Sequence, residues 1–432
     1  QWATELADLP ANGFAITGVR LFDADSAVTR EGMTVLVVGD TIQAVGTDGS
    51  INLQDDVHLI DGTGKTLLPG LWDMHTHLSD VDGPLNIAAG VTSIRDMANT
   101  METLRALKNR FDSGEAIGPR VRMAGIIEGP GPFAAPTNVL VSTPGEAVDW
   151  VQKYAELNYD QVKIYSSVKP ELVEPIALQA HELGLRVSGH IPAGMWAEDA
   201  VAQGYDEITH INMFFLNFYK DVTDTRTPAR FTQVAQRGAD LNFGSIEVRA
   251  FIEKLKTANV VVDPTVTIFE SMFRDRPGQL SSSYAMIADR LPPQVRRTLS
   301  SGGLPVPEGM EDQYKQSFQR MLDAIKHLHD EGVTLVAGTD ALTGFTLHRE
   351  LELYVEAGIP APEVLRIATL GSAKVMECDD MLGSIVPGKL ADLILVDGRP
   401  DVDIRDIRKI ERVVKNGVIH NSSALYAAVG VK

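Results

Sequence analysis

The chain is short of cysteine, of basic residues and of long apolar runs, and each shortage narrows what it can be. Cys378 is the single cysteine among 432 residues, so no intramolecular disulfide can hold the fold. No stretch of 18 apolar residues occurs, and no membrane-spanning helix is expected. Lysine and arginine number 39 against 58 aspartates and glutamates, a net charge of −19 that repels nucleic-acid phosphates and anionic lipid. Nucleic acid and membrane are therefore not expected as partners. An anionic small molecule is still allowed, because the local charge of a cleft can oppose the net charge. Assembly into a homo-oligomer is left open. The single cysteine does not choose a compartment, but the first residue is Gln1 rather than Met. On that ground a periplasmic or secreted setting is favoured over the cytoplasm.

What is present reads as an α/β protein. Hydrophobic residues make up 44% and charged residues 22%, the balance of a globular chain. Residues 13–66 form short strand-like runs broken by Gly, Asp and Asn, and strand character returns after 380 in GSIVPGKLADLILVDG and IERVVKNGVIH. Between them, short apolar runs alternate with amphipathic helical stretches, the pattern of βαβ units. Candidate strands lie at 67–78, 91–97, 121–128, 161–167, 186–191, 207–213, 260–266 and 334–341, with helices such as 100–112, 144–157 and 169–183. Eight strands in this alternation predict a (β/α)8 TIM-like barrel. The connections 214–259 and 268–332 are longer than a βα unit needs and are expected to lie over the barrel mouth as a lid or specificity loop.

Metal-competent residues fall at strand ends. The run 67–78, LLPGLWDMHTHL, turns at Pro69-Gly70 and closes on His75-Thr76-His77. With a side-chain period of two, Asp73, His75 and His77 share one face. Two imidazoles on one face can reach one metal ion, and imidazole suits zinc. A strand with two half-buried histidines is the plain alternative. His190 ends RVSGH, His210 ends DEITH and Asp340 ends TLVAGTD, all at C-terminal strand ends, where barrel enzymes keep their chemistry. Their convergence on one rim favours a metal site. Lys163 lies in QVKIYSSV, on a strand expected to be buried. An unpaired ammonium is costly there and burial favours the neutral amine, which can take up carbon dioxide as a carbamate, an anionic oxygen ligand. From spacing alone, a lysine paired with an acid is the simpler reading. His58 and His420 read as outer-sheet residues, and His181, His327 and His329 as helix residues. His348, close behind the eighth strand, is expected to reach substrate at the barrel mouth.

With H-x-H on the first strand, lysine on the fourth, histidines on the fifth and sixth and aspartate on the eighth, the chain resembles the amidohydrolase superfamily. LLPGLWDMHTHL, VKIY, VSGHIP, THINM, AGTDA and GSIVPGKLADLILVDG carry the resemblance over essentially the whole length. Within the superfamily it is most similar to the imidazolonepropionase-like and Xaa-Pro dipeptidase (prolidase)-like branch. The resemblance implies a small β-sandwich domain built from both chain ends, 1–66 and 381–432, beside a barrel of 67–380. It implies two divalent metal ions, zinc being the expected one. His75, His77 and Asp340 would hold the more buried ion, His190 and His210 the other, and N-carboxylated Lys163 would bridge them. Asp73 then supports the site from below.

The implied activity is hydrolysis of an amide bond in a small-molecule substrate of the dipeptide or N-acyl amino acid type. A hydroxide bridging the ions attacks, Asp340 shuttles the proton, and Tyr165 helps to hold the oxyanion. The plain alternative for Tyr165 is a packed core aromatic. Ester, lactone or phosphotriester hydrolysis at the same pair stays open. A deaminase or cyclic-amide hydrolase is disfavoured, because deaminase relatives carry an acidic residue where this chain has Ala193. A scaffold protein would be expected to lose ligands, and all six are here. The segment EGPGPFAAPTNVLVSTP lacks the histidine that dipeptidase relatives often carry after the third strand. Arg122, Arg226, Arg230 and the arginines from Arg274 to Arg297 are candidates for binding a substrate carboxylate.

Overall fold

The computed structural model describes residues 2–432 and contains two sheets. The first takes strands from both chain ends: β1 (Phe14–Asp23), β2 (Val28–Val38), β3 (Thr41–Thr47), β4 (His58–Asp61) and β5 (Thr66–Pro69). The second is built from β6 (Leu71–Thr76), β7 (Val91–Asp96), β8 (Arg120–Ile127), β9 (Gln161–Ile164), β10 (Arg186–Gly189), β11 (Glu207–Thr209) and β12 (Val261–Asp263). The chain then returns to the first sheet with β13 (Leu393–Val396), β14 (Ile410–Lys415) and β15 (Val418–Asn421). In the first sheet the order is β15-β14-β13-β5-β1-β2-β3, with β4 on β1, so it is one continuously paired eight-stranded sheet.

Strand period sorts its side chains between two cores. Leu393 and Leu395 of β13 join Phe14, Val35 and Val414 in a core of the outer sheet, while Ile394 and Val396 face the large core of the barrel. On β5 the same alternation sends Leu67 to the small core and Leu68 to the large one.

The second sheet is all parallel in the order β6 to β12 and curls into a nearly closed barrel. Its strands are buried on both faces, which is why they read as apolar runs rather than as alternation. The expected eighth strand, 334–341, forms no regular ladder. It closes the barrel as an extended segment between β12 and β6, through Val262 N to Thr334 O (2.9 Å), Val336 N to Val262 O (3.1 Å), Met74 N to Ala337 O (2.9 Å) and Asp340 N to His75 O (2.8 Å). Gly338 permits the close approach: a Cβ there would lie 2.4 Å from Asp263 Oδ1 and 2.6 Å from His75 Cβ.

The expected strand 67–78 is two strands. β5 belongs to the outer sheet and β6 to the barrel, so the expected boundary at 66/67 falls inside β5. The change of sheet occurs at Gly70, where a Cβ would lie 2.0 Å from Thr92 Oγ1. The other barrel strands end earlier than the apolar runs suggest, because the chain turns once it reaches the rim. Residues expected to extend the sixth strand instead form the helix Ile211–Leu216.

Helix starts follow their caps. Thr100 accepts from Thr103 N ahead of Met101–Asp112, and Thr143 and Glu146 form a capping box before Pro144–Glu156. The long connections are largely helical, with Ala229–Arg237, Ile246–Thr257, Val266–Arg274 and Glu311–Asp330. The last of these buries Tyr314, Phe318, Met321, Ile325 and Leu328 at helical spacing. Each such side chain contributes about 1.5–3 kcal/mol relative to exposure. Among the described residues no helix is long and apolar enough to cross a membrane.

Candidate metal centre

Side chains from four strand ends and the closing segment meet at the C-terminal mouth of the barrel. His75 lies in β6, His77 just beyond it, Lys163 in β9, His190 directly after β10, His210 directly after β11 and Asp340 on the closing segment. The contacts are short. Lys163 Nζ is 2.9 Å from His75 Nε2, and His190 Nε2 is 3.1 Å from His210 Nε2. Asp340 Oδ1 is 3.2 Å from His77 Nε2 and 3.9 Å from His75 Nε2, while its Oδ2 is 3.8 Å from His210 Nε2. Donor atoms of His75, His210 and Asp340 all lie within 4.8 Å of one another, close enough to hold one cation.

Each imidazole is aimed by a partner on its other nitrogen. His75 Nδ1 is 2.8 Å from Asp263 Oδ2, and His77 Nδ1 donates to Ala98 O at 2.8 Å. His190 Nδ1 is 3.0 Å from Ser166 Oγ, and His210 Nδ1 is 2.7 Å from Thr265 Oγ1. All four Nε2 atoms are thereby left pointing inward, the arrangement in which an imidazole can offer a lone pair to a metal. Burial holds His75 and His190 well below their ordinary pKa, and it outweighs the pull of Asp340 to hold His210 at about 3. These rings are neutral at working pH.

The Lys163 ammonium is fully buried and drops to about 8 for the same reason, although Asp340 and Asp263 pull the other way. Burial raises the Asp340 carboxyl, but the His77 hydrogen bond and the charges of His210 and Lys163 hold it down at about 2. The site also stores backbone strain: His210 (φ +71), Thr265 (φ +44) and Asp340 (φ +51) are all in left-handed conformations.

Tyr165 comes to the same place. Its ring lies 4.2 Å from that of His190 between centroids, and burial pushes its phenol up to about 12, so it stays a donor. Among the described residues its hydroxyl has no protein hydrogen-bond partner. A cavity of about 580 Å³ opens beside it, reaching from His77 and Asp340 to Met101, Ile126, Pro136 and Val139.

His348 is not brought to the site, contrary to the expectation that it reaches substrate. It is buried in the helix Phe345–Glu356, its Nε2 donates to Ala89 O at 2.9 Å, and its charged neighbours are Arg408, Glu352 and Arg290. The helical period turns this ring toward the barrel's outer side. Asp73 does support the site: its carboxylate accepts from His75 N, Thr339 N and Thr339 Oγ1 at 3.1, 3.1 and 2.8 Å.

Several supporting residues escape a reading by motif. Asp263 ends β12 in VVDPT, the same rim position as the histidines on neighbouring strands, and that position was its available signal. Below it, Arg95 spans the barrel to Glu207 through two bonds of 2.6 and 2.5 Å. Glu350 is fully buried and accepts from Val266 N (2.9 Å), Thr267 N (2.8 Å) and Thr267 Oγ1 (2.6 Å), pinning the backbone that carries Thr265. Glu128 ties the 129–139 loop to β9 by accepting from Gly129 N, Ala135 N and Ser167 N. Glu350 has its partners on a distant element, so nothing in the local sequence marks it.

Solved structures share this architecture. A Xaa-Pro dipeptidase with bound methionine superposes with a TM-score of 0.70 at 22% identity, covering 95% of this chain and 100% of that one. Bottromycin amidohydrolase gives 0.75 at 20% identity, covering 97% and 91%. At these identities the likeness is one of fold. Among curated sequences, adenine deaminase 4 of Rhizobium meliloti (strain 1021) is 33% identical over 84 residues, a stretch that spans 19% of this chain and only 13% of that protein. The profile of the amidohydrolase family matches residues 66–420, a span that holds every donor from His75 to Asp340. The chain therefore belongs to the amidohydrolase family.

Proposed function

We propose that the protein is a metal-dependent hydrolase of amide bonds that acts on a small dipeptide or N-acyl amino acid type substrate. The observation that carries this reading is the inward set of four Nε2 atoms with Lys163 and Asp340. His190 and His210 bring their Nε2 atoms to 3.1 Å of each other, with Ser166 and Thr265 hydroxyls on the far nitrogens. Four inward Nε2 atoms within reach of one carboxylate fit a divalent ion, and imidazoles with a carboxylate suit zinc. Two ions held by His75, His77, His190, His210, Asp340 and N-carboxylated Lys163 would acidify a water and polarise the scissile carbonyl.

The chain's own residues account for the remaining work. The buried Lys163 amine, with its lowered pKa, is suited to add to carbon dioxide, forming an N–C bond and releasing a proton. Asp340 stays ionised and takes the proton of the attacking water, then delivers it to the departing nitrogen. Tyr165 donates its unpartnered hydroxyl to the substrate carbonyl oxygen as charge builds there. The same reading takes 1–66 and 381–432 as one β-sandwich unit, supported by the core shared by β1, β2, β13 and β14.

Asp340→Asn tests the assignment. Asparagine tolerates φ +51 but cannot accept the proton, so kcat should fall on the order of 100- to 10,000-fold with the fold intact. Near-full turnover of a dipeptide or N-acyl amino acid by this variant would overturn the proton-shuttle role. Short local matches to deaminases favour deamination as a second reading. Ala193, three residues after His190, argues against it, and ammonia release from adenine by the loaded enzyme would establish it.

A further inference from the structure

Arginine after arginine in this chain is already occupied. Arg122 pairs with Asp160 at 2.8 Å, Arg226 with Asp224 at 2.8 and 2.9 Å, Arg276 with Glu311 at 2.7 Å and Arg296 with Asp289 at 2.7 Å. Arg274 reaches Glu270 at 3.5 Å, Arg290 donates to Lys432 O at 2.7 Å, and Arg297 is exposed to solvent. Arg230 differs. Among the described residues its guanidinium has no hydrogen bond and no ion pair, although acids outnumber bases 58 to 39 in the chain. It is half-buried, and its Cζ lies 4.5 Å from the centre of the Phe231 ring.

Its backbone is held against the site. Arg230 O accepts from Asn212 Nδ2 at 3.2 Å, and Asn212 lies two residues beyond His210. The guanidinium acts electrostatically on Tyr165, His190, His210 and Asp340, and burial lowers its own pKa. Asp340 is the only acid in that group, and its carboxylate is taken up by His77. A half-buried guanidinium beside neutral imidazoles lacks an anion, and planar carboxylate is the anion its fork matches.

Across the mouth the chemistry is the opposite. The 580 Å³ cavity lies against β7 and β8, four and three places from β11 in the sheet order. Ala98, Met101, Ile126, Pro136, Val139 and Tyr154 give it a largely apolar lining. No lysine or arginine lines it, and Asp340 is its only carboxylate, so an ammonium placed there would find no free counter-charge. Tyr165 and Asp340, which line the cavity, are also groups on which the Arg230 charge acts.

We propose that Arg230 anchors a carboxylate on the amine half of the substrate while the cavity beside Tyr165 takes an uncharged acyl half. The substrate class is then an N-acyl amino acid in preference to a dipeptide with a free amino terminus. This rests on amide hydrolysis at the site as proposed above.

The test compares N-acetyl-L-phenylalanine, its carboxamide and glycyl-L-phenylalanine on the wild type, Arg230→Met and Arg230→Lys, with calorimetric binding of the first two ligands to metal-free protein as a second readout. Wild type should show a KM for the carboxylate at least tenfold below that for the carboxamide and below that for the dipeptide. Arg230→Met should raise the carboxylate KM on the order of 100-fold at little-changed kcat and abolish calorimetric binding, with Arg230→Lys intermediate. Equal treatment of carboxylate and carboxamide by wild type, or the same preference in Arg230→Met, would overturn the anchor. Preference for the dipeptide would overturn the uncharged acyl half. Arg230-dependent binding without turnover of any amide would sink the hydrolase reading and leave the anchor standing.

Discussion

His190 and His210 meet Nε2 to Nε2 at 3.1 Å, each held in place by a hydroxyl on its far nitrogen, Ser166 for one and Thr265 for the other. Burial keeps both rings neutral, so a divalent cation binding there meets free lone pairs and displaces no proton charge. Metal analysis of the loaded protein should give close to two divalent ions per chain. Chelation should lower Tm, since a ligand at about 100 times its Kd stabilises the native state by about 2.7 kcal/mol. A content below one ion in a fully loaded sample, with no change in Tm on chelation, would count against the centre.

Lys163→Ala should lose metal and at least about 100-fold in activity, because the proposed carbamate ligand would be removed. Short carboxylic acids should restore part of both. Wild-type protein stripped of metal should also reactivate faster when bicarbonate is added. Reactivation indifferent to bicarbonate, with no rescue of the variant, would show that Lys163 acts as an amine.

Glu350 touches no substrate, yet it should prove a positioning residue for His210. Glu350→Ala leaves the buried Val266 and Thr267 amides without acceptors, a loss of about 2–4 kcal/mol. It also frees the backbone that holds Thr265 at φ +44 against His210 Nδ1. Denaturant unfolding should register the first effect and weaker metal binding the second. Glu350→Gln, which keeps one acceptor, should recover part of each.

His348 titrates away from the site. Burial, with Arg408 nearby, lowers it from an ordinary 6.5 to about 4. The unfolded chain binds this proton more readily than the folded one between those values, so stability is fully present above pH 6.5 and is lost as pH falls toward 4. The loss is on the order of 2–3 kcal/mol. Stability measured at pH 7.5 and 4.5 should therefore differ less in His348→Gln than in wild type. An identical difference would mean that other groups carry the acid sensitivity.

Much of the fold was legible because its signals are local. Alternating apolar runs and amphipathic stretches announced the parallel strands and their helices. The turn at Pro69-Gly70 was legible, but the change of sheet there and the loss of a regular eighth strand were not. Both follow from neighbours distant in sequence: Thr92 against Gly70, and Asp263 and His75 against Gly338.

For the candidate site, the sequence by itself determined the donor types and their order along the chain, from His75 to Asp340, because strand periodicity and residue chemistry are local properties. Tertiary structure alone decided that these donors lie within a few ångströms of one another, that His348 turns away, and that Asp263 and Thr265 aim the rings. It alone decided that, among the described residues, the half-buried Arg230 has no acid partner. The reason is physical: whether a charge is paired, and which way a ring points, depends on barrel closure, which brings together side chains more than a hundred residues apart.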